Sequence, residues 1–144
     1  MGFSVGVVGC GRWGSQHIST LLELKKQGFV GKIFVCDINP QRLKKLSEKI
    51  DGVYSEWLEM IQSEELDLVS IVTPNSTHTS FGIAILEQGL NVLVEKPVGI
   101  SLDEVRRLVE AAEESNGLLF SGYLLHHHSG CLLYTSPSPR DLRK

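Results

Sequence analysis

One stretch limits the possible folds of this chain more than any other: VGVVGCGRWGSQH, residues 5–17. Phe3 to Val8 reads as a short, nearly continuous apolar strand, and Gly9-Cys10-Gly11-Arg12-Trp13-Gly14 follows it at once. The next segment, Trp13 to Lys26, carries Ile18, Leu21 and Leu22 at helical spacing. A GxGxxG pattern alone is weak, but between a strand and a helix each glycine acquires a task. Gly9 permits the tight turn, Gly11 removes the side chain that would block a diphosphate, and Gly14 lets the helix lie close to the sheet. The free N–H groups of the helix start, from Gly11 through Arg12 and Trp13, then point at the phosphates.

The rest of the chain repeats the strand-helix alternation. Ile33–Cys36, Leu66–Val72, Asn91–Val94 and Leu118–Tyr123 read as strands whose apolarity suits burial on both faces. Pro40–Ile50, Tyr54–Glu64 with Ser55 as cap, His78–Gln88 ended by Gly89, and Leu102–Asn116 read as helices. For the last of these, Ser101 and Glu104 form a capping box and Gly117 is the stop. Such alternation implies an α/β fold with a doubly wound parallel sheet, three layers α/β/α, the Rossmann fold.

Three separated patches then fall at the carboxyl ends of strands, where open α/β sheets bind ligands. The glycine loop is the first. Asp37 ends the next strand, about 20 residues beyond the loop, where a carboxylate accepts hydrogen bonds from the adenosine ribose; a 2′-phosphate there would meet like charge, so NAD is favoured and NADP less so. Thr73-Pro74-Asn75-Ser76-Thr77-His78 and Glu95-Lys96-Pro97 follow two further strands. An ammonium between a buried strand and a proline has few structural reasons to be there, which marks Lys96 as a candidate catalytic group.

The combination GVVGCGRWGSQH, CDINPQRL, IVTPNSTH and VLVEKPVGISLDEVRRLVEAA resembles the nucleotide-binding domain of the Gfo/Idh/MocA oxidoreductases, over Phe3 to Tyr123. The resemblance implies hydride transfer between a nicotinamide cofactor and a secondary alcohol of a sugar, sugar nucleotide or cyclitol; GCGRWGSQHI and the first helix are similar to those of the sugar-nucleotide dehydrogenase branch. It implies that Lys96 lies beside the substrate hydroxyl and assists proton movement. It further implies that Glu95 and Pro97 shape the nicotinamide pocket, with a cis peptide common before the proline, and that Thr73, Pro74, Asn75 and His78 line the cofactor. A desolvated amine becomes a usable acid or base for an alcohol proton. The family continues into a second domain carrying the substrate pocket and oligomer interface, so the longer protein is expected to be a homo-oligomer. The competing reading is a non-catalytic dinucleotide-binding module.

Composition narrows the remaining classes. With 144 residues and a net charge of −3, the chain is expected to form one domain, residues 1–125, with no nucleic-acid partner and no membrane segment. Its three cysteines, Cys10, Cys36 and Cys131, lack CxxC spacing and are expected to be reduced in the cytoplasm; Cys10 and Cys36 read as small buried packing residues. Trp13 and Trp57 read as core or rim aromatics, Trp13 screening the diphosphate. Residues 126–144 read as a disordered or non-native tail on a truncated chain, and the His126-His127-His128 run as solvated side chains, with no metal site.

Overall fold

The computed structural model describes residues 2–123; the expectations for 126–144, the histidine run and Cys131 lie outside them. The chain runs β1 (Phe3–Val8), α1 (Arg12–Lys26), β2 (Val30–Cys36), α2 (Pro40–Leu46), β3 (Gly52–Tyr54) and α3 (Trp57–Ser63). It continues through β4 (Leu68–Ile71), a 3-10 turn (Asn75–Thr77), α4 (His78–Leu86), β5 (Asn91–Val94), α5 (Leu102–Glu114) and β6 (Leu119–Ser121). All strand pairs are parallel, in the order β3-β2-β1-β4-β5-β6. This is the doubly wound Rossmann sheet, and its winding reverses between β1 and β4.

The strands read as continuous apolar runs because both faces are covered. Alternate residues point to opposite layers: Val5 and Val7 of β1 join Ile33 and Val35 of β2 in a core with Ile18 of α1 and Leu43 of α2. Val8, Phe34 and Cys36 point the other way, into a core with Met60, Ile85 and Leu108 from α3, α4 and α5. Among the described residues no helix is long and apolar enough to cross a membrane.

Four local readings need correction. β3 is not among the expected strands: it is only three residues long and half exposed on the sheet edge. The following helix starts at Trp57, not Tyr54, and Ser55 does not cap it; Glu56 stands at the cap without a side-chain bond. α2 ends at Leu46, short of Ile50, where the Ser47 hydroxyl donates back to the Lys44 carbonyl. At α5, Ser101 Oγ accepts the Glu104 N–H at 3.2 Å, but the Glu104 carboxylate accepts from Ile100 instead of Ser101.

Candidate functional site

The glycine loop packs β1, β4 and α1 together at the reversal point. Gly9 has φ +98°, and a Cβ there would lie 2.5 Å from the Val72 carbonyl oxygen at the end of β4. Gly14 lies against the loop from the other side, where a Cβ would be 1.9 Å from the Gly9 oxygen. Gly11 differs from both: the nearest atom to its imagined Cβ is Arg42 Nη1, at 4.0 Å. Packing does not require that glycine, so the space its missing side chain leaves is available to a ligand. Gly11 is the N-cap of α1 with no side-chain cap bond, and the first turn carries no acidic residue. Amide donors without a partner beside an open approach fit a diphosphate.

Asp37 is buried at the end of β2 and more heavily engaged than its sequence position reveals. Its Oδ2 accepts the Cys10 N–H at 2.7 Å, which ties the acid to the glycine loop, and its Oδ1 accepts the Asn39 N–H at 2.8 Å. Arg42, half exposed on α2, pairs with Oδ2 at 3.2 Å. Burial alone would raise the carboxyl's pKa, but the two backbone donors and the guanidinium outweigh it and hold it below the usual carboxylate range. The folded-state value therefore lies under the unfolded one near 3.9. The carboxylate's contribution to stability is complete above that value and is lost as pH falls through the lower, folded-state value. Thermal denaturation across pH is expected to show the parent's melting temperature dropping more steeply than that of Asp37→Asn below about pH 4, and the two running parallel above about pH 6.

The turn after β4 is held by its own bonds. Thr77 Oγ1 reaches Thr73 Oγ1 at 2.7 Å and the Pro74 carbonyl at 2.6 Å. His78 is buried behind this turn, its Nδ1 2.8 Å from the Pro97 carbonyl and its Nε2 2.8 Å from the Thr73 carbonyl. The ring thus ties the turn after β4 to the loop after β5.

After β5, Glu95 is buried and Lys96 is exposed, with a cis Lys96–Pro97 peptide between the lysine and the proline. The Lys96 ammonium lies over the Trp13 ring, 5.2 Å from its centroid, close enough for a cation–π contact. The desolvation expected for Lys96 is therefore not supplied by the described residues. Cys10 and Cys36 are buried free thiols; burial first, then neighbouring charge, pushes each up to about 12, which leaves them as packing groups.

These pieces border two adjoining clefts at the carboxyl edge of the sheet. The larger, 620 Å³, takes in Gly9, Gly11, Arg12, Asp37, Pro74 and Trp57; the smaller, 170 Å³, takes in Asn75, His78, Glu95 and Lys96. Trp13 and Thr73 border both. Gly14 and Pro97 line neither cleft: Gly14 is packed under Gly9, and Pro97 offers its carbonyl to His78. Sequence reading missed three contributors. Arg42 reaches back from α2 to Asp37, and His17 meets Glu95 across the sheet. Trp57 lines the larger cleft beside Phe81, with ring centroids 5.2 Å apart; recognising β3 would have put the segment after it on this same edge.

A family model described as an oxidoreductase family with an NAD-binding Rossmann fold matches residues 3–123. The chain belongs to the Gfo/Idh/MocA oxidoreductase family. Among its Gfo/Idh/MocA relatives is myo-inositol 2-dehydrogenase of Thermotoga maritima, 27% identical over 121 residues that make up 83% of this chain and 35% of that protein. The WlbA dehydrogenase of Bordetella pertussis, solved with NADH and UDP-GlcNAcA, superposes with a TM-score of 0.84 at 24% identity, covering 92% of this chain and 40% of that one. A 3-ketoreductase of Actinomadura kijaniata, solved with NADP and TDP-benzene, gives 0.77 at 24% identity, covering 89% and 39%. The chain spans about a third of the length of the curated relatives it matches. It is the NAD-binding domain of this oxidoreductase family.

Proposed function

We propose that this chain supplies the cofactor half of a dehydrogenase that moves a hydride between a nicotinamide and a secondary alcohol of a sugar, sugar nucleotide or cyclitol. The observation that carries the reading is that loops after β1, β2, β4 and β5 border two adjoining clefts, with amide donors and a carboxylate in one and an ammonium in the other. The residues present fit the dinucleotide. The amides after Gly11, at Arg12 and Trp13, would hold the diphosphate with Gly9 and Gly14 fixing the loop, and Asp37 would accept the ribose hydroxyls, which favours NAD over NADP. Thr73, Pro74, Asn75 and His78 would line the cofactor, and Glu95 would shape the nicotinamide end, with Pro97 acting from behind the cleft through its carbonyl bond to His78. When bound, the cofactor supplies the hydride acceptor or donor.

Lys96 would hold or release the alcohol proton at its Nζ, which faces the smaller cleft's border at Trp13. On this reading the substrate, or a further domain, would complete the surroundings of the exposed Lys96. The longer protein is read as a cytoplasmic homo-oligomer taking a small-molecule polyol; the free thiols Cys10 and Cys36 accord with a reducing compartment.

Titration of this chain with NADH and NADPH, read by calorimetry, is expected to show NADH binding more tightly, and failure of the folded chain to bind either would overturn the cofactor reading. In the full-length gene product, reduced-nicotinamide absorbance should report turnover on a panel of cyclitols and sugars. Lys96→Ala should cut that turnover by about 10²–10⁴ while leaving NADH affinity within a few-fold. A panel with no turnover would leave a binding module without chemistry.

A further inference from the structure

We propose that His17 is a positioning residue for Lys96, acting through the buried carboxylate of Glu95; this rests on the reading that Lys96 is the working amine of the site. His17 Nε2 lies 2.9 Å from Glu95 Oε1, and its Nδ1 lies 2.9 Å from the Ser70 hydroxyl on β4. The other Glu95 oxygen, Oε2, accepts the backbone N–H of Lys96 at 3.1 Å. One hydrogen-bonded chain therefore runs from α1 through β5 to the lysine's own backbone.

Three features separate this arrangement from ordinary packing. First, it puts a carboxylate, an imidazole and a hydroxyl between α1 and the sheet, with Glu95 and Ser70 both buried. Apolar side chains would fill that space with less desolvation, whereas directional bonds fix an orientation. Second, both imidazole nitrogens have a partner that can meet them. With Nε2–H facing the carboxylate, Nδ1 either accepts from Ser70 or donates to it, and a hydroxyl serves both roles. Third, Trp13 and His17 are one turn apart on α1, at i and i+4, so they share a face of the helix. Trp13 lies under the Lys96 ammonium while His17, through Glu95, holds the Lys96 backbone. The same helix whose first turn forms the glycine loop thus grips the lysine at both ends. Gly122 closes the far side of Glu95: a Cβ there would fall 2.9 Å from Oε1, so the carboxylate has little room to swing away.

Trp13 makes the proposal measurable without any cofactor. The chain has two tryptophans, so 5-fluorotryptophan labelling gives two ¹⁹F resonances, assigned with Trp57→Phe. Lys96→Met removes the ammonium from the Trp13 ring and defines the displaced position of that resonance. His17→Phe is expected to move the Trp13 resonance most of the way there with the Trp57 resonance unmoved. His17→Gln, which keeps a donor toward Glu95, should restore most of the parent position. Should His17→Phe fail to fold, Ser70→Ala is expected to shift the Trp13 line in the same direction by a smaller amount.

Three results would overturn the proposal: a Trp13 line that Lys96→Met does not move, one that neither His17→Phe nor Ser70→Ala moves, or equal movement of both tryptophan lines. NADH is then added to the parent as a separate arm. Absence of any NADH response alongside a positive His17 result would sink the cofactor reading while leaving the positioning intact.

Discussion

Gly14→Ala is expected to lower the stability of the chain by about 3 kcal/mol or more, seen as a fall of about 10 °C or more in melting temperature. The added methyl would sit 1.9 Å from the Gly9 carbonyl oxygen and 2.8 Å from its carbon. Neither neighbour can retreat. Gly9 is held by its N–H to the Cys36 carbonyl at 2.8 Å and backs onto Val72 at the end of β4, while α1 is anchored through buried Ile18. Relief requires the helix to lift off the sheet, which opens the core between α1 and β1. Gly11→Ala is the matching control. Its methyl meets open space and its φ of −70° suits alanine, so stability should stay within about 1 kcal/mol, the scale of an N-cap change. NADH affinity should nevertheless fall at least about tenfold, because the methyl occupies the approach that a diphosphate needs. Equal stability of Gly14→Ala and parent, or equal NADH affinity of Gly11→Ala and parent, would refute the division of labour between these glycines.

The parts of this molecule legible in its sequence are those that the backbone dictates locally. β1 and β5 begin and end at the expected residues because strands covered on both faces must be apolar throughout, and a run of that kind has clear ends. β3 escaped because an edge strand of three half-exposed residues needs no such run. The glycines are legible for a similar reason: a positive φ or a backbone packed against backbone admits no other residue. Gly117 shows the limit of that logic. It reads as a helix stop of the left-handed kind, yet its φ is not positive; a Cβ there would lie 2.2 Å from the Leu90 carbonyl, and α5 is finished instead by the Ser115 hydroxyl, which accepts the Gly117 N–H. Residues whose role comes only from tertiary juxtaposition stayed hidden. Nothing in the local pattern around His17 points to Glu95, 78 positions away, and Lys96 read as desolvated until the structure showed its ammonium exposed over Trp13.

The Asp37–Arg42 pair leads to the second large effect, a change of cofactor preference. The carboxylate has about four acceptor positions; Cys10, Asn39 and Arg42 approach three of them. The two backbone donors are fixed by the loop, but the half-exposed Arg42 side chain can yield its place to ribose hydroxyls. On the proposed reading Asp37 would do two things in the parent: offer acceptors to an unphosphorylated ribose, while it holds Arg42 by charge. Asp37→Ser removes both. NADH affinity is expected to fall by about 10- to 100-fold, the loss of hydrogen bonds to a charged acceptor. NADPH affinity should rise as the released guanidinium, which favours phosphate geometry, meets the 2′-phosphate. Adding Arg42→Ala to that variant should erase the NADPH gain without restoring NADH, which separates the arginine's attraction from mere loss of repulsion. Since Asp37 also bonds the Cys10 and Asn39 amides, each variant is compared only after a cooperative melt shows that it is folded. A folded Asp37→Ser chain that still prefers NADH by the parent's margin would mean that the cofactor is chosen elsewhere. The adenosine end would then have to be read from the Trp57 and Phe81 wall of the larger cleft instead of from its acid.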